Sequence, residues 1–229
     1  MFLNLLLSAI FPTVCADCGE KTKNNLALCE GCFKSIRLND SLFCGRCHAR
    51  LPDGKKICHL DTPFILAAAT NYRLNPPIQK MIRKLKFRHS DWVGETIGKL
   101  VCPYAREVLP KENLIICPIP LGKKRLRERG FNQAEILADI IARELNLPIF
   151  KKALIRTKET QAQTLIHGFK DRRLNLENAF WANPSEINKQ NVLLIDDVTT
   201  TGATLYSASR ALKFAGAQKV YALVCAKAS

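Results

Sequence analysis

Residues 192–205 constrain the fold of this 229-residue chain more than any other stretch. The stretch opens with four consecutive apolar residues, a pattern typical of a strand buried on both faces of a parallel sheet. The apolar run ends in two acids, Asp196 and Asp197, and a turn rich in hydroxyl groups precedes the next helical pattern. Ligands of open α/β sheets bind just beyond the carboxyl ends of such strands. The stretch therefore predicts an α/β fold and the position of its site.

The side chains of this turn suit a sugar phosphate. Adjacent carboxylates accept hydrogen bonds from the vicinal hydroxyls of a ribose, or hold Mg²⁺ through water. Gly202 allows close approach of the backbone, and N–H groups, hydroxyls and a helix N-terminus together surround a phosphate. An ordinary acidic turn with a threonine N-cap is the alternative, but a cap accounts for only one of these residues. The candidate residues of a ribose 5-phosphate site are Asp196, Asp197, Thr199, Thr200, Thr201, Gly202, Ala203 and Thr204.

This order of strand, acid pair and Thr-Gly turn resembles the signature of the type I phosphoribosyltransferases, which bind phosphoribosyl pyrophosphate (PRPP) with Mg²⁺. The resemblance implies a mostly parallel sheet flanked by helices. It also implies a loop that contacts the pyrophosphate after an early strand, and a hood loop that closes over the reacting bond. Thr200 stands where purine-salvage members often carry an Asp near the base, so the resemblance leaves catalysis open.

Basic residues outnumber acidic ones, 35 to 20, and the net charge of +15 indicates a partner that carries phosphate. A basic segment follows a predicted strand at residues 114–117, and we expect it to be a loop that contacts pyrophosphate. Its candidates are Lys123, Lys124, Arg125, Arg127 and Arg129. Residues 156–173 form a long polar segment, as lids often do. The hood-loop candidates there are Arg156, Gln161, Arg172 and Arg173.

A predicted helix that begins at Pro76 and Pro77 carries a third basic cluster. A solvated helix face and a nucleic-acid surface are both open interpretations, because no acid interrupts the cluster. The candidate residues for a nucleic-acid patch are Lys80, Arg83, Lys84, Lys86 and Arg88.

Seven of the ten cysteines form an internal repeat. Cys15, Cys18 and Cys29 recur 29 residues later as Cys44, Cys47 and Cys58, whereas Asp61 stands at the position equivalent to Cys32. Paired Cys-x-x-Cys knuckles at this separation predict a zinc ribbon, and redox use is the weaker alternative. We expect one zinc ion on the first four cysteines. A second ion on Cys44, Cys47 and Cys58 is left open, with Asp61, His59, His48 or water as fourth ligand.

The cysteine repeat also suggests the domain organisation. Residues 1–62 are predicted to hold an N-terminal helix and the zinc ribbon, and residues 63–229 the phosphoribosyltransferase-like domain. The apolar run at the N-terminus is shorter than the ~20 residues of a membrane span, so we expect a packed helix and no stable membrane insertion. Cys102, Cys117 and Cys225 stand alone in apolar surroundings. Free thiols beside zinc thiolates indicate a reducing cytoplasm.

Further motifs narrow the resemblance. Residues 118–121 read Pro-x-Pro-Leu, and residues 125–134 read Arg-Leu-Arg-x-Arg-Gly-Phe-Asn-Gln-Ala. Together with the cysteine repeat and the acidic turn, they resemble the ComF family, in which a Cys is usual at the position of Asp61. That resemblance implies a PRPP-binding cytoplasmic protein of natural transformation that handles incoming single-stranded DNA, with a protein partner such as a competence helicase. A nucleotide-salvage transferase and a PRPP-sensing regulator without catalysis remain the alternatives.

Overall fold

Groups of one to three strands alternate with groups of one or two α-helices along the chain. The structure is a computed structural model that describes residues 14–22, 26–51, 59, 61–87, 91–157 and 179–228, apart from the side chain of Asp91. The strands are β1 (Leu42–Cys44), β2 (Arg50–Leu51), β3 (Ile65–Asn71), β4 (Leu114–Pro118), β5 (Leu154–Arg156), β6 (Phe180–Ala182), β7 (Asn191–Thr199) and β8 (Lys219–Lys227). The α-helices are α1 (Glu30–Lys34), α2 (Pro76–Lys84), α3 (Asp91–Val108), α4 (Lys123–Arg129), α5 (Gln133–Leu145), α6 (Pro184–Ile187) and α7 (Ala203–Phe214).

A six-stranded sheet in the order β2-β1-β3-β8-β7-β4 organises the fold. Strands β3, β8, β7 and β4 are parallel to one another, which confirms the predicted mostly parallel sheet. Strands β1 and β2 come from the cysteine-rich part of the chain and extend this sheet antiparallel, with Phe43 opposite Leu66. The ribbon is therefore joined to the rest of the protein through backbone hydrogen bonds.

The apolar run of β7 is buried on both faces, as its sequence predicts. Leu193 and Ile195 pack into one core with α3 and α5, and Val192 and Leu194 pack into a second core with α7. A separate two-stranded sheet of β5 and β6 covers part of the second core. None of the described helices is long and apolar enough to cross a membrane, and the predicted helix at residues 1–10 lies outside the described residues.

Strand β7 extends farther than the sequence suggests, because it continues through the acid pair to Thr199. Its pairing with β8 runs to the end of both strands, where Thr199 lies opposite Lys227. Strand β4 stops earlier, with Pro118 opposite Ile195, and the N–H of the next residue donates to the Ile195 carbonyl (2.9 Å). The residues of β7 after Ile195 therefore extend beyond the end of β4. They leave space for a binding site beside them at the carboxyl end of β4.

The basic segment after β4 was predicted to be a loop, and this prediction is wrong. Residues Lys123–Arg129 form helix α4, bounded by Gly122 and by Gly130, which adopts a left-handed φ of 81°. Lys, Arg, Leu and Glu are all strong helix formers, and glycine in this conformation commonly ends a helix. The segment still follows the carboxyl end of β4, so its charges remain beside the predicted site.

Candidate functional site

A cavity of about 660 Å³ lies at the carboxyl edge of the sheet. It is bounded by the end of β7 and the start of α7 on one side, and by the segment from β4 to α5 on the other. The polar and charged residues that line it are Lys86, Lys124, Arg125, Glu128, Arg129, Asn132, Gln133, Arg156, Asp196, Asp197, Thr199, Thr200, Thr201 and Thr204. All eight candidates of the ribose 5-phosphate site line this cavity.

The acid pair is half-buried at the end of β7. Asp196 Oδ1 accepts from the N–H of Asp197 (2.9 Å), and Asp197 Oδ1 accepts from the N–H of Val198 (2.7 Å). These bonds orient both carboxylates. Because an ionised carboxylate has about four acceptor positions, each acid keeps capacity for a ligand.

The two acids also interact electrostatically. Burial, and then the charge of Asp197, raise the pKa of Asp196 well above the ordinary value of 3.8. Asp196 still has some contact with solvent. A cation, or a pair of hydroxyl donors, placed beside the acids would favour the doubly ionised form. The pair is therefore suited to a magnesium ion or to a ribose diol.

The turn after β7 presents the N-terminus of a long helix to the cavity. Gly202 has a left-handed φ of 72°, and its carbonyl accepts the first helical hydrogen bond, from the N–H of Tyr206 (2.8 Å). Gly202 is the N-cap of α7 and has no side chain to cap the helix. The N–H groups of its first turn have no partner within the helix, so they suit a bound anion.

The opposite wall of the cavity is basic. Lys124, Arg125 and Arg129 line it, whereas Lys123 and Arg127 of the same helix are absent from the described lining. No residue of α4 is buried. The Nη1 atom of Arg129 donates to Gln133 Oε1 (3.1 Å), which links the end of α4 to α5.

Asn132 and Gln133 belong to this wall but were not predicted as site residues. Asn132 is buried and caps α5, where its Oδ1 accepts from the N–H of Ala134 (3.1 Å). Its Nδ2 donates to the carbonyl of Ile119 (3.0 Å), just after β4. The Asn132 side chain thus links Ile119, which precedes α4, to the first turn of α5, which follows α4. An Asn that directly precedes a helical pattern is the sequence signal for such a cap.

The remaining basic candidates have different surroundings. Lys80 donates to the carbonyl of Asp17 (2.7 Å), and its Nζ lies 2.9 Å from Asp17 Oδ1. Lys84 Nζ lies 5.6 Å from the ring centre of Trp92. Arg83 is exposed and Lys86 lines the cavity. The predicted patch is therefore divided between the ribbon, α3 and the cavity, and Arg88 lies outside the described residues.

Only one of the four hood-loop candidates falls in a described part of the chain. Arg156, at the end of β5, lines the cavity, and its guanidinium carbon lies 5.3 Å from the ring centre of Phe180. Gln161, Arg172 and Arg173 lie outside the described residues.

The first cysteine group has the geometry of a zinc site. The sulfur atoms of Cys15, Cys18, Cys29 and Cys32 all lie within 4.8 Å of one another. The Sγ atoms of Cys18 and Cys29 are 3.6 Å apart, close to the ~3.8 Å expected between two thiolates on a tetrahedral zinc ion. Burial opposes ionisation of Cys15, but backbone N–H donors outweigh it and lower the pKa of this thiol to about 6. This shift favours the thiolate form of Cys15, which is the form that zinc requires.

The second group consists of Cys44, Cys47 and His59, whose ligand atoms also lie within 4.8 Å of one another. His59 Nδ1 is 3.6 Å from Cys44 Sγ, near the ~3.5 Å expected for nitrogen and sulfur on one zinc ion. Asp61 is instead paired with Arg46, whose Nη1 lies 2.8 and 2.6 Å from its carboxylate oxygens, and this bond lowers the pKa of Asp61. Of the alternatives for the fourth ligand, the structure thus brings His59 to the cysteines. Cys58 lies outside the described residues.

The isolated cysteines are core residues. Cys102, Cys117 and Cys225 are buried and free, and burial raises the pKa of each thiol, to about 11, 12 and 12 respectively. Such thiols are inert at neutral pH.

Comparison with known proteins agrees with both parts of the chain. Residues 6–60 match the family model described as a double zinc ribbon domain, and residues 131–229 match that of the phosphoribosyl transferase domain. Competence protein F of Haemophilus influenzae is 30% identical over 203 residues, which cover 84% of this chain and 87% of that protein. The DNA utilization protein YhgH of Escherichia coli is 28% identical over 214 residues, covering 90% and 87% of the two chains.

Two further similarities are more limited. Competence protein ComFC of Bacillus subtilis is 32% identical over 141 residues, covering 62% of this chain and 55% of that protein. The solved glutamine PRPP amidotransferase of B. subtilis superposes with a TM-score of 0.36 and 15% identity, over 66% of this chain and 28% of that one. That overlap is too small to support a conclusion by itself. The family models and competence protein F suffice: the chain belongs to the ComF family, and it joins a zinc-binding double ribbon to a phosphoribosyltransferase domain.

Proposed function

We propose that the cavity binds PRPP together with Mg²⁺. The observation that carries this proposal is that one cavity has the acid pair and the phosphate-binding turn on one side, and three basic side chains on the other. The ribose hydroxyls would bind Asp196 and Asp197, and the 5-phosphate would bind the turn at residues 199–204. The pyrophosphate would then face Lys124, Arg125 and Arg129. The volume of about 660 Å³ is usual for a small-molecule site.

The acid pair fits the magnesium ion that PRPP carries. Mg²⁺ prefers oxygen ligands, and proteins commonly hold it by one or two carboxylates together with substrate phosphates. When bound, this ion would supply positive charge beside the pyrophosphate. Asp196 and Asp197 would orient the ribose and the metal, and α7 would hold the 5-phosphate.

We propose binding of PRPP and not transfer of its phosphoribosyl group to an acceptor. Thr200 is exposed at the cavity, and its hydroxyl is not a general base near neutral pH. A measurement of pyrophosphate release distinguishes a protein that only binds PRPP from one that also transfers the phosphoribosyl group. Only transfer releases pyrophosphate when an acceptor is added.

Titration calorimetry with fragments of the ligand tests the binding proposal. We expect PRPP with Mg²⁺ to bind more tightly than either ribose 5-phosphate or pyrophosphate, because each fragment contacts only one side of the cavity. Equal affinities for pyrophosphate and PRPP would contradict the proposal, because they would mean that the basic wall alone binds.

We further propose that the protein acts in natural transformation and handles single-stranded DNA. The relatives are named for competence and for DNA utilization, and this chain has a net charge of +15. Arg83 and Lys86, both exposed, are our candidates for the DNA surface at the end of α2. Single-stranded DNA binding of this kind depends strongly on salt.

Fluorescence anisotropy with a labelled single-stranded oligonucleotide tests the DNA surface. The double variant Arg83→Gln, Lys86→Gln should weaken binding and reduce its salt dependence by about two ion equivalents. The matched control is Lys99→Gln, Lys111→Gln, which removes the same charge from exposed positions elsewhere. Equal effects of the two variants would show that net charge acts rather than this surface.

We also propose that the protein is cytoplasmic, that it has two domains, and that it binds a protein partner. The free thiols among the described cysteines support a reducing cytoplasm. We keep the boundary between the ribbon domain and the phosphoribosyltransferase-like domain at residues 62 and 63, although β1 and β3 share a sheet. The exposed face of the ribbon is our candidate surface for a protein such as a competence helicase.

A further inference from the structure

The second cysteine group lies directly against the phosphate-binding turn. A Cβ atom added to Gly202 would lie 3.1 Å from His48 Nε2 and 3.4 Å from the carbonyl oxygen of Gly45. Both residues belong to the knuckle at residues 44–48, which contains the metal-binding Cys44 and Cys47. The backbone of the turn and that of the knuckle are therefore in close contact.

The knuckle has little freedom to move at this contact. The His48 N–H donates to the Cys44 carbonyl (2.9 Å), and His48 adopts a left-handed φ of 57°. On the other side, a Cβ atom on Gly45 would lie 2.5 Å from the carbonyl oxygen of Phe64 and 2.8 Å from its ring. The knuckle is thus packed between Phe64, the residue before β3, and the turn. Close-packed elements transmit a displacement to their neighbours.

A second contact links the same two regions. Lys227 is only 9% exposed and lies opposite Thr199 at the end of β8. Its Nζ lies 4.8 Å from the ring centre of Phe43, the residue before Cys44. Thr199 begins the phosphate-binding turn, so Lys227 connects the strand that carries the knuckle to that turn.

The first cysteine group has contacts of another kind. Lys80 of α2 pairs with Asp17, between Cys15 and Cys18. The Ala27 N–H donates to Thr96 Oγ1 of α3 (2.8 Å). The first group therefore packs against helices α2 and α3, whereas the second group packs against the turn. Both groups have ligands that suit zinc.

We propose that metal bound at the second group sets the conformation of the phosphate-binding turn, with His48 as the positioning residue between them. Bound zinc would fix the relative positions of Cys44, Cys47 and His59, and hence the knuckle that supports Gly202. A segment with so few large apolar residues depends on its metal for a defined conformation. The affinity for PRPP consequently depends on the second metal and not on the first. This inference rests on the proposed function.

The test compares Cys47→Ser with Cys18→Ser in the full chain. Each variant removes one exposed cysteine from one group. We expect both to lose zinc, and only Cys47→Ser to weaken PRPP binding, by about tenfold, a size usual for coupled sites. Amide hydrogen exchange at residues 199–205 should become faster in Cys47→Ser alone. Unchanged affinity and exchange in Cys47→Ser, or equal losses in both variants, would overturn the proposal.

A second variant keeps the test decisive if Cys47→Ser fails to fold. His48→Ala leaves Cys44, Cys47 and His59 in place but removes the side chain that contacts Gly202. We expect its zinc content to be unchanged, its turn to exchange faster, and its PRPP affinity to fall by about threefold to tenfold. Unchanged exchange at residues 199–205 in this variant would overturn the proposal. If the wild-type protein does not bind PRPP, the proposed function fails, but hydrogen exchange still decides whether the second metal controls the turn.

Discussion

On one side of the cavity, the acids and the turn at residues 199–204 follow four completely buried residues of strand β7. On the other side, the basic residues lie on α4, a helix with no buried residue. The position of this turn is fixed by the pairing of β7 with β8, by the left-handed Gly202 and by the knuckle at residues 44–48. The basic helix is exposed over most of its length, and Arg129 and the Asn132 cap tie its C-terminal end to α5 and to the residue after β4. We infer that the turn determines which ligand binds, and that the helix contributes charge that adapts to it.

The largest expected effect comes from removing the acids. In the variant Asp196→Asn, Asp197→Asn the ribose and the metal lose two ionised partners, each worth about 1.5–3 kcal/mol. PRPP affinity should fall by at least about 100-fold in titration calorimetry. The free protein should unfold at an equal or higher temperature, because the variant removes both the buried charge and the repulsion from Asp197 that raise the pKa of Asp196. Affinity within twofold of the wild type would show that the acids do not contact the ligand.

The backbone of the turn comes next. Gly202→Ala places a Cβ on a residue with φ of 72° and brings it to 3.1 Å from His48 Nε2. We expect a loss of about 1–2 kcal/mol in the free energy of unfolding, measured with urea, and about tenfold weaker PRPP binding. Gly31→Ala is the matched control, because an added Cβ there meets nothing within 4 Å. A stable, fully binding Gly202→Ala variant would mean that the turn is less constrained than the structure indicates.

The basic side should respond more weakly and more to salt. Arg125→Gln removes an exposed charge that lines the cavity, and solvent screens such charges. We expect PRPP binding to weaken by about fivefold, with a smaller salt dependence. Arg127→Gln, on the same helix but absent from the described lining, should change affinity little. Equal effects of both substitutions would assign the helix a diffuse electrostatic role rather than direct contact.

The acidic side should respond to pH. Because burial and Asp197 raise the pKa of Asp196, the folded protein holds a proton there that the unfolded chain releases above the ordinary value of 3.8. Stability from this group is therefore present at low pH and is lost as pH rises through the raised pKa. Urea unfolding from about pH 4 to pH 8 should show a decline in the wild type that is smaller in Asp196→Asn. Parallel curves for the two proteins would contradict the shift.

Local patterns in the sequence predicted the side of the cavity that follows the buried strand β7, namely the two acids and the turn. The apolar run of β7, the acids after it and Gly202 each have a local signal. Helix α4 was missed because a dense run of basic residues suggested a loop, although its residues favour a helix. Sequence patterns describe charge and helix propensity separately, and here propensity decided the structure.

Features that depend on distant contacts were beyond the sequence. Strands β1 and β2 have three and two residues, too few for any periodicity, so their place in the sheet was not predicted. Repeat spacing pointed to Asp61 as a metal ligand, but Arg46 binds its carboxylate. The contact of His48 with Gly202 joins residues far apart in the chain, and no local pattern indicates it.

A crystal structure of the protein with PRPP and Mg²⁺ would test directly whether the cavity binds PRPP. We predict the ribose hydroxyls at Asp196 and Asp197, the 5-phosphate in the turn at residues 199–204, and the pyrophosphate facing α4. PRPP bound outside the cavity, or bound only through its pyrophosphate to α4 while the acids contact nothing, would contradict this prediction.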